Sequence, residues 1–304
     1  MNNTSGTPQA GVKINVVQPG ADGMKQLGST TSIANGTFTV DATPSRTGPA
    51  LIQSIFGGVT YTTILPPGTP TNGVNVSVYD ATDKPPEGMK TQHLILLEPG
   101  PEKLEISETF FTTNESKLAY QDEKNGSVRF YLPPGAPENL SVTIDSTGVP
   151  IQRPVEKAGG GLFKINYPLK PGETRFDLHY AVPATAEFVG KVLTTDPPTR
   201  LVTPTSVTLS GDGLADLGQE TQTGARVYAV SGNSFKVTIS GVGAIRADVS
   251  SSDEESGAPK CCDEVPPRIY TQEVLGIAVK FWILALAGMM LLFGGTVLYR
   301  RGKA

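Results

Sequence analysis

One uninterrupted apolar stretch near the end of the chain constrains its fold more than any other feature. Residues 274–298 read VLGIAVKFWILALAGMMLLFGGTVL, twenty-five residues with a single charge and no proline. A helix of this length rises about 37 Å, which is enough to cross a hydrocarbon core of about 30 Å with some tilt. Helices buried in soluble domains rarely stay apolar on every face for so long. The stretch therefore predicts one transmembrane helix.

The charges that flank this stretch predict its orientation. Arg300, Arg301 and Lys303 follow it, whereas Asp263 and Glu264 lie in the segment before it. By the positive-inside tendency, the basic tail of residues 299–304 is cytoplasmic and the large N-terminal body is outside. For a bacterial chain, this places the helix in the inner membrane and the body in the periplasm. A tail-anchored protein with a cytosolic body is the competing topology, and it would have to translocate the basic tail.

Small residues and one lysine within the stretch predict contact with another helix. Ala278, Ala285, Gly288 and Gly295 follow one another at steps of seven, three and seven, which places small side chains along one stripe. Lys280 either extends its stem to the membrane interface or pairs with a group on a neighbouring subunit. We therefore expect the helix to contact transmembrane protein partners as well as the lipid bilayer.

The segment just before the helix differs in composition from the rest of the chain. Residues 248–273 are rich in serine, acidic residues and proline, which predicts a flexible stalk. The only cysteines, Cys261 and Cys262, are adjacent there and cannot cross-link distant parts of the body. Four states of these cysteines remain open: free thiols, acylated thiols, a vicinal disulfide and an intermolecular disulfide.

The remaining residues predict an all-β body. Glycine (34) and proline (25) are abundant and charged residues make up only 18 %, which favours short strands joined by turns. We predict two antiparallel β-sandwich domains at residues 1–80 and 88–247, separated by the segment DATDKPPEG. Strands are predicted in the first domain at residues 11–17, 25–31, 37–41, 50–56, 59–65 and 74–79, with a hairpin turn at Asn35 and Gly36. In the second domain they are predicted at residues 92–97, 104–113, 127–132, 140–144, 162–167, 174–182, 188–193, 206–210, 226–230 and 235–240.

Residues suited to catalysis are scarce. His93 and His179 both lie within predicted strands, where a structural role is expected. The sequence contains no G-x-S-x-G elbow, no H-E-x-x-H and no phosphate-binding glycine loop. We therefore predict that the chain is not an enzyme and has no catalytic residue.

Charged residues outside the tail indicate neither a metal site nor a nucleic-acid surface. The acidic pairs Asp122–Glu123 and Asp212–Asp216 lack the spacing of an EF-hand and are expected to lie in solvated turns. The net charge is −4, and no basic cluster precedes the tail. We expect no cofactor, no metal, no nucleic-acid partner and no small-molecule substrate.

Two motifs stand out in the first eighty residues. Residues 6–14, GTPQAGVKI, match the pattern "G-x-P-x-x-G-V-x-V", and residues 34–38, ANGTF, match "D-x-x-G-x-F" only in part, since its aspartate is absent. With these motifs, the first eighty residues resemble the bacterial carboxypeptidase regulatory-like domain, a small transthyretin-like β-sandwich. The arrangement with a second β-domain and one membrane helix is similar, more loosely, to exported proteins of acidobacterial type.

This resemblance implies that a strand is missing at the start. Domains of the family begin with one further strand, whereas this chain begins inside the loop that follows it, at residues 2–6. The expectation is that a coding start farther upstream supplies that strand and an export signal, since residues 1–17 contain no signal-peptide pattern.

Two functions follow from these features. The first is a non-catalytic accessory subunit, whose helix packs into a larger membrane assembly such as a photosynthetic or respiratory electron-transfer complex. The alternative is a free-standing envelope module that binds carbohydrate or protein, which exposed aromatic residues such as Phe110, Phe130 and Tyr131 would favour.

Overall fold

The computed structural model describes residues 1–20, 23–137, 139–146, 148–194 and 197–245, and this part of the chain is all β. No helix occurs among these residues, so none there is long and apolar enough to span a membrane. The predicted stalk, transmembrane helix and basic tail at residues 248–273, 274–298 and 299–304 lie outside the described residues.

The N-terminal region, defined here as residues 1–79, contains one four-stranded antiparallel sheet in the order β2-β1-β3-β4. Gly57 and Gly58 join the last two strands with positive φ angles of 57° and 79°, which suits a tight hairpin turn that matches the twist of the strands. The strands are β1 Lys13–Gly20, β2 Gly23–Thr31, β3 Ala50–Phe56 and β4 Val59–Leu65.

The eight-stranded region, defined as residues 80–245, contains β5 to β20. Its main sheet has the order β11-β10-β14-β7-β6-β16-β19-β18, with smaller sheets β12-β13-β9, β15-β20-β17 and β5-β8. Pairing is antiparallel except between β16 and β6 and between β5 and β8. The strands are β5 Asp80–Thr82, β6 Met89–Pro99, β7 Lys103–Asn114, β8 Leu118–Tyr120, β9 Val128–Tyr131, β10 Ser141–Asp145, β11 Ile151–Pro154, β12 Glu156–Gly159, β13 Leu162–Ile165, β14 Gly172–Pro183, β15 Glu187–Lys191, β16 Arg200–Thr203, β17 Thr208–Ser210, β18 Leu214–Gln219, β19 Arg226–Val230 and β20 Ser234–Ser240.

Buried apolar side chains form two clusters. The larger one lies between one face of the eight-stranded sheet and the two three-stranded sheets, and it includes Phe130, Phe176 and Val237. The smaller one lies on one face of the four-stranded sheet around Ile14, Ile52 and their neighbours. In both, inward residues alternate with outward ones along the strands, as expected where one face of a sheet is buried.

Two of the predicted strands, at residues 37–41 and 74–79, are wrong. Both segments are extended, but they have no strand pairing beyond an isolated bridge between Asn2 and Val78. The turn at Asn35 and Gly36 does form, with the Gly36 amide 2.8 Å from the Ile33 carbonyl oxygen, yet no hairpin continues from it. The alternating pattern predicted which side chains face inward but not which backbone would pair with these segments.

The division into two domains stays a prediction. Residues 1–249 form one compact unit, and β5, at the start of the proposed linker, pairs with β8. Ala119 of β8 is buried in the smaller cluster, alongside side chains of the N-terminal region. The two regions therefore share one element of their cores.

Candidate functional site

A cavity of about 460 Å³ opens on the buried face of the four-stranded sheet. Its floor includes Val16, Ile52 and Leu65, which belong to β1, β3 and β4. Its volume lies within the range of ordinary ligand pockets. We refer to this cavity and the two segments that border it, residues 37–42 and 74–78, as the N-terminal groove.

Both bordering segments present apolar side chains to the groove at every second residue. Phe38, Val40 and Ala42 are half-buried, whereas the intervening Thr39 and Asp41 are exposed. Val74 and Val76 line the groove from the other segment, and the exposed Thr39 and Asn75 also lie at its border. This alternation is that of a β-strand with one face on a core.

The backbone of these segments lacks the pairing that normally accompanies such alternation. Among the described residues, no backbone hydrogen bond joins residues 38–42 to another segment, and none involves residues 74–75 or Ser77. The first segment is nevertheless held in place, since a Cβ atom added at Gly28 of β2 would lie 2.7 Å from the Asp41 carbonyl oxygen. Glycine therefore permits the segment to approach the sheet closely.

The start of the chain forms a short parallel ladder with the second segment. The Met1 ammonium donates to the Val76 carbonyl oxygen at 3.0 Å, and the Val78 amide donates to the Met1 carbonyl oxygen at 3.0 Å. The Asn3 amide then donates to the Val78 carbonyl oxygen at 2.9 Å. Met1 itself lines the groove, so this ladder reaches the groove.

His93 belongs to a buried polar cluster within the eight-stranded region. Its Nε2 atom lies 2.8 Å from Oε2 of Glu108, and the Tyr180 hydroxyl donates to Oε1 of the same carboxyl group. The His93 ring stacks on Phe110, with centroids 4.1 Å apart. Burial and the neighbouring Glu108 hold the pKa of Tyr180 above its ordinary value. Since these groups face the core from β6, β7 and β14, the cluster supports the structural role expected for His93.

His179 lies on the opposite, exposed face of the same sheet. Its Nδ1 atom is 2.9 Å from the Ser107 hydroxyl, directly across the β7–β14 pair. Asp177, two residues from His179 on that face, accepts hydrogen bonds from Thr109 at 2.8 Å and from Arg175 at 2.9 Å. Asp177 is therefore engaged with these two neighbours, and the hydrogen bond of His179 to Ser107 provides no orienting acid for a hydrolase triad.

The acidic residues considered as calcium ligands serve in local turns. Asp122 accepts hydrogen bonds from the Asn125 amide and side chain, each at 2.8 Å, and these lower its pKa. Glu123 accepts a hydrogen bond from Gln121, and Asp216 accepts one from the Gly218 amide at 2.8 Å. Within the part of the chain that the structure describes, no group of three or more potential ligands could hold a metal ion.

Lys170 is a polar feature that the sequence did not single out. Its ammonium lies 5.6 Å from the Tyr61 ring centroid and 5.8 Å from that of Tyr167. It lines a pocket of about 200 Å³ together with residues of both regions. Desolvation by burial lowers its pKa to about 8, so a substantial share of the side chain is neutral near that pH.

Comparisons with known proteins identify no family. No protein-family model matches the chain, and no curated protein matches its sequence. A solved M1 zinc metallopeptidase from Deinococcus radiodurans matches at 14 % identity and a TM-score of 0.25, over 50 % of this chain. A mutant of that enzyme matches at 14 % identity and a TM-score of 0.27, also over 50 %. The chain spans only 42–43 % of the length of these metallopeptidases, and the likeness supports no statement about activity.

Several predicted functional residues cannot be placed in the structure. The helix-docking candidates, the topology determinants and the two cysteines all lie outside the described residues: Ala278, Lys280, Ala285, Gly288, Gly295, Arg300, Arg301, Lys303, Cys261 and Cys262.

The aromatic residues considered for a binding face do not form one. Phe110 and Phe130 are buried in the larger cluster, where their ring centroids lie 5.6 Å apart. Tyr131 is half-buried beneath Lys191, whose ammonium is 5.0 Å from the ring centroid. Phe111, one residue along β7, is the exposed aromatic, at 41 %. Sequence alternation along β7 does not by itself say which of two adjacent phenylalanines faces the core.

The groove is the feature best suited to binding. Its bordering segments were predicted as two strands of the first sandwich domain, so the sequence contained their apolar residues but gave no sign of a cavity between them. The space depends on how far apart the two segments lie, and no local pattern encodes that separation.

Proposed function

We propose that the chain is a single-pass membrane protein whose β-body acts as a non-catalytic accessory subunit of a larger membrane complex. The proposed architecture comprises two β-sandwich domains, the first related to the carboxypeptidase regulatory-like domain, followed by a stalk and one C-terminal helix. The body lies in the periplasm and the tail in the cytoplasm.

The observation that carries this proposal is the apolar stretch at residues 274–298. Its length and uniform apolarity support a membrane span. Its small-residue stripe and Lys280 support contact with other subunits, among which those of an electron-transfer assembly are one example. In the body, the histidine, carboxylate and tyrosine groups most suited to chemistry are engaged in internal hydrogen bonds, which agrees with a structural subunit.

Purification in a mild detergent, followed by mass spectrometry of co-eluting proteins, tests the proposal. We expect further subunits in fixed stoichiometry with this chain. Ala285→Leu, on the small-residue stripe, should release them, whereas the matched change Ala287→Leu, about 200° around the helix, should not. A chain that elutes alone and monodisperse would contradict the accessory role.

The orientation has its own test. Whole cells treated with a membrane-impermeant maleimide should label Cys261 and Cys262 if these are free thiols on the periplasmic side. A matched Cys261→Ser, Cys262→Ser variant provides the background. Labelling only after cell lysis would instead indicate a cytosolic body.

The second candidate function is an envelope module that binds its ligand without a stable complex. The N-terminal groove favours it, because the groove combines an apolar lining with backbone groups that lack partners among the described residues. A lone protein in detergent that still binds a ligand in the groove would select this candidate over the first.

A further inference from the structure

A second, smaller pocket is lined by Lys170. Its volume is about 200 Å³, which is below the range of pockets that enclose a whole drug-sized ligand. The space therefore suits one small chemical group. We call it the Lys170 pocket, and its lining includes Tyr61, Ser77, Tyr79, Ser146, Glu173 and Thr174.

Lys170 carries a charge that no acidic group pairs among the described residues. Within this part of the chain its ammonium makes no hydrogen bond, and its contacts are with the faces of Tyr61 and Tyr167, 5.6 Å and 5.8 Å from the ring centroids. Ring faces attract a cation, but they do not accept its three N–H groups as oxygen atoms would. Since a partly buried cation is costly without such acceptors, the adjoining space is where an anion or water can supply them.

Hydroxyl groups in the lining add hydrogen-bond donors to this charge. Thr174 is only 2 % exposed, and its hydroxyl has no hydrogen-bond partner among the described residues. The Tyr79 hydroxyl accepts a hydrogen bond from Asn3 at 3.1 Å, which leaves its own proton free to donate. Ser146 and Tyr167 share one hydrogen bond of 2.8 Å between their hydroxyls, so one proton of that pair is also available. A cation and several hydroxyl donors around one small space are the groups that bind an oxyanion.

The other titratable groups of the lining do not neutralise Lys170. Glu173 is exposed, and in the described part of the chain no ion pair joins it to Lys170. Tyr61 donates its hydroxyl proton to the Tyr79 carbonyl oxygen at 2.8 Å, and burial raises its pKa to about 12, so it stays neutral at physiological pH. The pocket therefore has a positive centre at Lys170 and one opposing charge at its exposed border.

We propose that the Lys170 pocket binds a tetrahedral oxyanion, a phosphate or sulfate group, held by the Lys170 ammonium and by hydroxyls of the lining such as those of Thr174 and Tyr79. A lysine suits such a group because its ammonium acts as a point charge, whereas the guanidinium fork of arginine matches planar carboxylates. The pocket is a different cavity from the N-terminal groove. The inference goes beyond both functions proposed above and depends on neither.

Sulfate is the first probe, because its charge stays the same between pH 7 and pH 9. Its binding to the full chain, in an uncharged detergent at low ionic strength, is measured by isothermal titration calorimetry. Since burial lowers the pKa of Lys170 to about 8, we expect binding to be about tenfold weaker at pH 9 than at pH 7. Exposed lysines keep their charge over this range, so sulfate attracted only to the surface would bind equally at both pH values.

Matched substitutions locate the binding. Lys170→Met should weaken sulfate binding at pH 7 by at least about tenfold, since it removes the ammonium but keeps an unbranched side chain. Lys25→Met removes the same charge from an exposed position on β2, at the opposite edge of the four-stranded sheet from β4, and should change binding less than about twofold. Thr174→Val should weaken binding at least about threefold by removing a donor, and Glu173→Gln should tighten it about twofold by removing a like charge.

A labelling experiment on the unaltered chain decides the question even if a variant fails to fold. Acetylation with a small amine-reactive reagent, followed by mass spectrometry of the peptides, gives the rate of modification at each lysine. Sulfate should slow the acetylation of Lys170 at least about fivefold, because an anion beside the amine covers it and favours its charged, unreactive form. The rate at Lys25 should change less than about twofold.

Two further ligands identify the source of the oxyanion. Tighter binding of glycerol 3-phosphate than of inorganic phosphate would indicate an ester within a larger molecule, and equal binding would indicate the free ion. Both results support the site, whereas acetate binding more tightly than sulfate would overturn the tetrahedral oxyanion.

Four other outcomes would overturn the inference. They are absence of sulfate binding at low ionic strength, equal binding at pH 7 and pH 9, unchanged binding by a folded Lys170→Met variant, and weaker binding by a folded Glu173→Gln variant. None of these bears on the subunits that co-elute with the chain in detergent, so a failure here is distinguishable from failure of the accessory role.

Discussion

The two regions of this protein bury one face of a sheet in different ways. In the eight-stranded region, two hydrogen-bonded three-stranded sheets pack on the main sheet, and β7 and β14 pair over twelve positions without a shift. In the N-terminal region, the buried face is covered by extended segments whose only ladder, among the described residues, is the short one between Met1 to Asn3 and residues 76–78. Apolar alternation is thus sufficient to place a segment over a core, but a neighbouring strand is needed to make it a sheet.

Buried polar groups are found in both regions. The eight-stranded region encloses the His93–Glu108–Tyr180 cluster, in which each group has a partner. Buried polar atoms without a partner among the described residues occur in both regions, for example Ser54 Oγ in the N-terminal region and Ser127 Oγ and Thr199 Oγ1 in the eight-stranded region. Substitutions in the buried cluster should disrupt a completed set of hydrogen bonds, whereas those beside the N-terminal groove should act on side chains that border open space.

The largest effect is expected from Glu108→Ala. This change leaves His93 and the Tyr180 hydroxyl unpaired in the core and should lower the free energy of unfolding by about 3–5 kcal/mol. Urea denaturation followed by circular dichroism provides the measurement. Glu105→Ala, on the same strand but with a largely exposed side chain, is the control and should cost less than about 1 kcal/mol. Equal losses for the two variants would show that the buried cluster adds nothing to stability.

A matched pair of Val→Ala changes compares the two cores directly. Val142→Ala, in the fully packed cluster, should cost about 2 kcal/mol through lost burial and a new cavity. Val76→Ala should cost only about 1 kcal/mol, because Val76 already borders the groove and less packing is lost. Chemical denaturation of both variants measures the difference. A larger loss for Val76→Ala would mean that the groove is tightly packed in solution.

Enlarging a side chain should stabilise the protein in the N-terminal region and destabilise it in the eight-stranded region. Ala42→Val adds volume to the groove and should stabilise the protein by about 0.5–1 kcal/mol. Val142→Ile, by contrast, overfills a packed core and should destabilise it by about 1–3 kcal/mol. Thermal unfolding monitored by calorimetry distinguishes the two signs. Destabilisation by both changes would contradict the presence of usable space in the groove.

The smallest effect concerns pH. Because burial lowers the pKa of Lys170 to about 8, the unfolded chain binds more protons than the folded one between about pH 8 and the ordinary lysine value. This residue therefore makes stability increase with pH across that window, and its charge weakens the fold below it. Lys170→Met should raise stability at pH 7 and reduce the rise between pH 8 and 10 in parallel urea titrations. An unchanged pH profile would show that Lys170 is well solvated.

Much of the fold follows from local sequence patterns, and the rest depends on long-range pairing. The strands at residues 50–56, 59–65 and 226–230 were predicted with the bounds that the structure shows, because glycine turns or clear alternation delimit them. The strands Glu156–Gly159 and Leu214–Gln219 were missed, since their side chains are largely exposed and their apolar residues do not alternate with polar ones. These strands are fixed by the neighbours with which they pair.

The candidate site was less predictable than the fold. The apolar lining of the groove was visible as alternation in residues 37–41 and 74–79, but the cavity between these segments arises from tertiary spacing. The role of His93 was anticipated from its position in a strand, while its partner Glu108 was not, because an acidic residue at a core position contradicts simple patterning.

Native-state hydrogen exchange tests the central claim that the N-terminal region contains a groove bordered by unpaired strand-like segments. In the free protein, the amides of residues 38–42 and 74–75 should exchange at least about 100-fold faster than those of β1 and β3 in the same region. Fast exchange of the two segments beside well-protected strands is the predicted result. Equal protection of the segments and the strands would contradict it, because the segments would then be paired.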